Sequence, residues 1–247
     1  MTQAAHAELR SALEVIRDAR VSQSSNGILY TTVGEINLSA SDLETMIAAV
    51  PRSMAAALDR KAFYFVPLTV SEGDRTLVAE RFDHALKDQA ICHRNIDAGD
   101  SQCVFISTRL LDDKFSIAFE FYINVGHAFV EKVGDSQEFA DLVWQQASSG
   151  VRGETSLDAF EYRKQAVGEN SGRVDEKARS DYSSAAFSDA IAIYLLSLYL
   201  DVDYYELRER EYPLLSPSAL GDRLKKVSEI FPPNSGFQFN IFYKRRS

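Results

Sequence analysis

Phe121-Tyr122-Ile123-Asn124-Val125-Gly126-His127-Ala128-Phe129 forms the middle of an apolar segment between Asp112 and Val133. Asp112 and Asp113 suit the positive N-terminal end of a helix, and Gly134 suits its stop, so one helix is predicted from Asp112 to Val133. At about 100° per residue, Glu120, His127 and Glu131 share one stripe of that helix. His127 is therefore expected to be a partly buried imidazole satisfied by a neighbouring carboxylate.

Upstream, Leu9, Leu13 and Ile16 recur on one side of an amphipathic helix spanning residues 4 to 20, which ends at the Ser22 to Gly27 turn. A short strand from Ile28 to Val33 follows, then a helix capped by Ser39 or Ser41 and broken at Pro51. Ala62-Phe63-Tyr64-Phe65-Val66 is strand-like by its aromatic and β-branched content. Glu72-Gly73-Asp74 marks a loop. Leu77, Val78, Phe82, Leu86 and Ile91 then give helical spacing over Thr76 to Cys92, and Cys103 to Ser107 reads as a buried strand.

Downstream, Ser136 with Phe139, Leu142, Val143 and Trp144 opens another amphipathic helix. Residues 148–179 turn polar and glycine-bearing, which marks a candidate mobile excursion. An apolar helix follows from Tyr182 to Leu200, then a charged helix around Tyr204 to Tyr212 and a third around Ser218 to Phe231, punctuated by Pro213, Pro217, Pro232 and Pro233. Phe237 to Tyr243 alternates as a last strand. No internal repeat or long linker forces two domains.

The 247 residues are 45% apolar and 26% charged, the balance of a folded globular protein rather than a disordered one. A formal charge of -9 opposes nonspecific nucleic-acid binding. The basic cluster Lys244-Arg245-Arg246 reads as a solvated tail. Met1 to Arg20 lacks the apolar core of a signal peptide, and the apolar run from Ala190 to Leu200 is well short of the roughly 20 residues that span a bilayer. Cys92 and Cys103 then read as reduced thiols of a cytoplasmic protein.

His84, His93 and His127 are the candidate metal ligands, since imidazole with nearby carboxylate suits zinc, iron or manganese. His84 and His93 lie on opposite faces of an unbroken helix, so they share a metal only if that helix ends near Cys92. His84, Asp88 and Cys92 fall in one helical stripe. Adjacent Cys92 and His93 diverge too far on a helix to form a nucleophile and base. No Gly-x-Ser-x-Gly, Gly-x-x-x-x-Gly-Lys or Gly-x-Gly-x-x-Gly occurs, which disfavours the common serine-hydrolase and nucleotide-dependent chemistries.

Two segments, the one around His127 and Ala185-Ala-Phe-Ser-Asp-Ala-Ile-Ala-Ile-Tyr-Leu-Leu196, resemble the gluzincin metallopeptidases, particularly those with anthrax lethal-factor-like catalytic domains. The resemblance spans about residues 115 to 231. It aligns Ile123, Asn124, Gly126 and His127 with a His-Glu-x-Gly-His helix, and Ala185, Phe187, Ser188, Asp189 and Tyr194 with the helix that carries the third zinc ligand. It implies that only His127 survives of the metal set. The other two ligands appear as Ile123 and Ala185, and the general base as Asn124, so a peptidase of that mechanism is expected to be inactive.

The sequence thus predicts a single, mainly helical α+β domain with a small sheet built from segments near Ile28, Phe63, Val104 and Phe239. The expected function is noncatalytic: a cytoplasmic module that binds a protein or peptide and no cofactor, nucleic acid or membrane. The alternative is a zinc- or other transition-metal-dependent hydrolase built on His84, His93 and His127. A homo-oligomer packed through the Tyr182 to Leu200 helix is a further expectation.

Overall fold

The computed structural model describes residues 8–168, 175–207 and 211–242. Met1 to Ala7, Arg208 to Arg210 and the basic cluster Lys244-Arg245-Arg246 therefore lie outside the described residues. The chain is α+β, and it forms two compact units that divide between Phe121 and Tyr122.

The first unit contains two sheets among its described residues, where the sequence predicts one. Its strands are β1 (Leu9–Ser11), β2 (Ser22–Gln23), β3 (Leu29–Thr32), β4 (Lys61–Val66), β5 (Leu68–Glu72), β6 (Arg75–Ala79), β7 (Ala90–Ile91), β8 (His93–Ala98) and β9 (Ser101–Ser107). The five-stranded sheet has the order β2-β3-β4-β9-β8, with β3, β4 and β9 parallel and both outer strands antiparallel. The four-stranded sheet, β1-β6-β5-β7, is antiparallel throughout.

Burial on both faces explains the aromatic run in β4. Ala62, Tyr64 and Val66 join Cys103 and Phe105 of β9 against Ala12 and Val15 of helix α1 (Ala12–Asp18). Phe63 and Phe65 point the other way, with their rings 4.9 and 5.7 Å from that of Phe121. Phe121 lies on α4 (Lys114–Val133), which begins in this unit; it stops as the sequence predicts and starts two residues later than Asp112, which has φ +62°. Helices α2 (Ala40–Ala48) and α3 (Arg52–Ala55) connect β3 to β4, and Pro51 separates them as expected; Ser39 caps α2 by accepting the Asp42 N–H.

The two sheets meet at a corner. β4 continues into β5 across Pro67, and β7 continues into β8 across Cys92. Ser107, at the end of β9 and fully buried, bridges the bend. Its Oγ accepts the Thr69 N–H at 2.8 Å and donates to the Ile91 carbonyl at 2.6 Å.

Three expectations need correction. Residues 9–11 are strand rather than helix, because they pair with Leu77–Ala79; α1 starts only after Ser11, whose N–H donates to the Glu14 side chain. The helix expected over Thr76 to Cys92 is β6, a 3-10 segment His84–Gln89 and β7. The turn at Gly73-Asp74 decides this. It is a two-residue hairpin loop between Glu72 and Arg75, with Gly73 at φ +57°, and hairpin pairing overrides the helical spacing that follows. Residues 237–242 form no strand: Phe239 instead sets its ring 5.2 Å from that of Tyr194.

The second unit is helical, with α5 (Gln137–Ser148), α6 (Leu157–Val167), α7 (Glu176–Tyr199) and α8 (Pro217–Ile230) besides the end of α4. Every residue from Ala190 to Leu196 is buried, so α7 is the central helix of this unit and its apolar surface is consumed there. Phe187 of α7 lies 4.6 Å from Phe139 of α5 and 6.4 Å from Phe231, centroid to centroid. The described part of the polar stretch 148–179 holds α6, which is capped by the Ser156 hydroxyl and buries Ala159 and Ala166. No helix among the described residues is long and apolar enough to cross a membrane.

Replacing Ser107 by Ala strands the buried Thr69 N–H and is expected to cost about 1–3 kcal/mol. In a chain of this length that is a fall in melting temperature of roughly 2–12 °C, measurable by circular dichroism.

Candidate functional site

On α4 the side chains of Phe121, Tyr122, Val125, Ala128 and Phe129 are buried, which is the helical spacing of a core-facing stripe. Asn124 is also buried, at 6% exposure, and Ile123 is half-buried. His127 is exposed, as is Glu131, so the expected partly buried imidazole is in fact on the outside of the helix. The reason lies in phase: the buried stripe passes through 125, 128 and 129 and leaves 127 between its edges.

Gly126 marks the close approach of α4 to α7. A Cβ added there would stand 2.6 Å from the Ser188 carbonyl oxygen, so only glycine lets the helices meet at this depth. Ser188 is itself buried, and Ala185 is half-buried one turn before it. The donor set at the aligned positions is then one exposed imidazole, one buried carboxamide and two alkyl side chains. That set does not fit a zinc ion, which takes three or four nitrogen, sulfur or carboxylate ligands.

The other two histidines lie in the first unit. His84 begins the 3-10 segment, exposed, with its ring 4.7 Å from that of Phe82. The expected stripe of His84, Asp88 and Cys92 dissolves with its helix, since Cys92 follows β7. His93 opens β8, and its Nδ1 is hydrogen-bonded to Glu120 of α4 at 2.5 Å. Among the described residues, no group of three or more His, Cys, Asp or Glu side chains is placed to hold a metal ion.

The His93–Glu120 pair stands at one end of an open sheet edge. β8 pairs with β9 on one side only among the described residues, and His93, Arg94, Asn95 and Asp97 are all exposed. Ser107 N–H donates to Cys92 O at 2.9 Å, which fixes the alternation of the ladder. The bonds of residues 94, 96 and 98 then face β9, and those of His93, Asn95 and Asp97 face outward. The adjoining Cys92 thiol is pushed above its ordinary value, first by burial and then by the charge of Glu120, so it is held as the less reactive thiol.

Sequence reasoning passed over β8 altogether. The available signal was the second Gly-Asp turn, Ala98-Gly99-Asp100-Ser101, where Gly99 has φ +63° and Ala98 pairs with Ser101. It repeats the chemistry of Gly73-Asp74, and two such turns in succession call for hairpins.

The second unit holds a buried charged cluster, also unforeseen. Glu154 and Arg223 are fully buried and joined by two hydrogen bonds, Nη1 to Oε2 at 2.8 Å and Nη2 to Oε1 at 3.2 Å. Glu154 Oε1 also accepts from Tyr182 Oη at 2.6 Å and from Arg163 at 3.1 Å. Arg223 Nε donates to Gln146 Oε1 at 2.8 Å, and Gln146 in turn donates to the Ala219 carbonyl at 3.0 Å. Burial disfavours the charge of Arg223, but Glu154 and Tyr182 outweigh it and hold the guanidinium protonated. Both carboxylate oxygens are occupied from within the fold. The cluster therefore ties residue 154 to α5, α6, α7 and α8 rather than awaiting a ligand.

Asp189 lies beside this cluster and accepts from Thr155 Oγ1 at 2.8 Å. Burial raises its carboxyl from 3.8 to about 6, against the opposing hydrogen bonds of Ser156 and Thr155.

Comparison of the chain with known protein families and with curated proteins finds no match.

Arg223→Met removes one partner of a buried pair and is expected to cost about 3–5 kcal/mol, read as a fall in denaturation midpoint; Arg223→Lys, which cannot bond Glu154 and Gln146 together, should fall between the two. Asp189 gives a pH signature. Its folded value lies above its ordinary one, so the folded state binds the extra proton and stability declines as pH rises from 3.8 to about 6. Asp189→Asn is expected to remove about 3 kcal/mol of that decline, seen as a flatter stability profile than the parent's.

Proposed function

We propose that the chain is a noncatalytic, cytosolic binding module that takes up an extended peptide along the outer edge of β8, in a fold descended from the gluzincin metallopeptidases. The observation that carries this reading is the open edge itself: three outward N–H and C=O pairs on an exposed strand with no second neighbour among the described residues. An added strand satisfies such groups through main-chain bonds, which supply affinity without any reactive side chain. Exposed edges are usually short, bulged, charged or blocked by proline; β8 carries the charges of Arg94 and Asp97, and runs six residues without proline.

The noncatalytic part of the reading is supported by the chemistry at the aligned positions. Neither Ile123 nor Ala185 offers a donor atom to a metal, and a buried carboxamide at Asn124 cannot accept a proton from water. The free thiols of Cys92 and Cys103 fit a reducing compartment.

The decisive variant is Asn95→Pro, which deletes an outward N–H and leaves the β9 ladder intact. Panning the purified chain against a displayed library of random peptides should enrich extended sequences with period-two patterning. Their binding should be lost in Asn95→Pro while the melting temperature stays within a few degrees of the parent. Enrichment of nothing, or binding indifferent to Asn95→Pro, would sink the reading, as would a stoichiometric content of zinc, iron or manganese in protein purified without chelator. A dimer in light scattering that dissociates in Asn95→Pro would assign the edge to a second copy of the chain instead.

A further inference from the structure

The side chains along β8 carry a charge pattern that the β9 register sorts onto two faces. Residues directly opposite in an antiparallel pair share a face. Arg94 and Ile96 are opposite Phe105 and Cys103, on the side where α1 packs, and Ile96 is half-buried against that core. His93, Asn95 and Asp97 are opposite Ile106, Val104 and Gln102, on the other side, where His93 meets Glu120. The first face therefore presents one cation followed by an apolar step. The second presents a carboxylate at each end, Glu120 beside His93 and Asp97 four residues on, with the neutral Asn95 between them.

We propose, resting on the peptide-binding reading above, that the edge selects peptides by this pattern: a basic residue opposite Asp97, an apolar residue opposite Ile96, an acidic residue opposite Arg94 and a basic residue opposite His93. Antiparallel addition makes the outward groups of His93, Asn95 and Asp97 into doubly bonded pairs and is the more stable arrangement per residue. The ligand then reads, from its N-terminus, basic, apolar, any, acidic, basic. Asp97 and Arg94 are exposed, and neither makes an ion pair among the described residues, so both charges are available to a ligand. The pattern also bears on what is refused. A strand of the opposite charges sets carboxylate against carboxylate at both ends of the site and a cation against Arg94, so the edge discriminates as much by repulsion as by attraction.

Two capped peptides with identical flanks test this by fluorescence anisotropy, one with the centre Lys-Leu-Thr-Glu-Arg and one with the charge-reversed centre Glu-Leu-Thr-Lys-Glu. The first is expected to bind at least about fivefold tighter at low salt, with the gap narrowing as salt is raised, as exposed pairs of modest individual strength require. In the charge-swapped protein Arg94→Glu/Asp97→Lys the preference should shrink or invert, with an unchanged melting temperature showing that the fold is intact. If both peptides bind equally and both are lost in Asn95→Pro, strand addition stands and the charge pattern is overturned. If neither binds, while library peptides bind in a manner blocked by Asn95→Pro, the pattern again fails alone. If no peptide of any sequence binds, the peptide-binding reading and the pattern fall together.

Discussion

The first unit depends on the pairing of β4 with β9. Both strands are buried on their two faces, so neither can be left uncovered; β3, β4 and β9 run parallel and need crossover connections, of which β3 to β4 carries helices and β4 to β9 carries β5 to β8. Much of the arrangement follows from that constraint. α2 and α3 return the chain from β3 to β4, α1 closes one face through Ala12 and Val15, and Phe121, two turns into α4, closes the other. β8 is then left as the outer strand beside β9, and its position at the edge is a consequence of where the core must be. Ser107 links this sheet to its neighbour, since its hydroxyl satisfies a main-chain donor and a main-chain acceptor at the bend, where ladder bonding is interrupted.

The second unit is organised differently. α7 is buried around most of its circumference, and the chain around it is fixed partly by polar groups rather than by apolar packing alone. Glu154 lies in a loop, and two arginines, a tyrosine hydroxyl and the main chain at Pro213 and Leu215 converge on that residue. A buried pair of this kind gives little net stability over an apolar substitute, but it allows only one seating of the loop among four helices. Its completeness distinguishes it from an active site, where a reacting group must keep a hydrogen-bonding position open for substrate.

Elements with strong local signals were legible in the sequence. The C-terminal end of α4, the break at Pro51, the cap at Ser39, the strand at Ala62 to Val66 and the apolar α7 each declare themselves through residues a few positions apart. What escaped depends on partners distant in sequence. Leu9 to Ser11 is strand only because Leu77 to Ala79 is beside it, and the same pairing defeats the helical spacing of Leu77, Val78 and Phe82. The alternation of Phe237 to Tyr243 mimics a strand, whereas Phe239 packs against Tyr194. Glu154 was invisible for a related reason: its meaning comes from Arg223, 69 positions away. The β8 edge of the candidate site was not read from the sequence, because it needed the Gly99-Asp100 turn to be weighed as a hairpin.

The proposed descent and the proposed function are tied together by one physical point. Removing metal ligands from a cleft leaves alkyl groups where water and metal stood, and such groups favour burial between helices. Main-chain groups on a strand edge are unaffected by those replacements, because their hydrogen-bonding capacity does not depend on side-chain identity. A fold that loses its reacting groups can therefore keep the means of holding an extended chain. In the proposed reading the charges of Arg94, Asp97 and Glu120 tune which strand is accepted, and they do so without disturbing the ladder that accepts it. Glycine at 126 is retained in this account for packing alone, since the close approach of α4 to Ser188 is needed whether or not a metal was ever bound beside it.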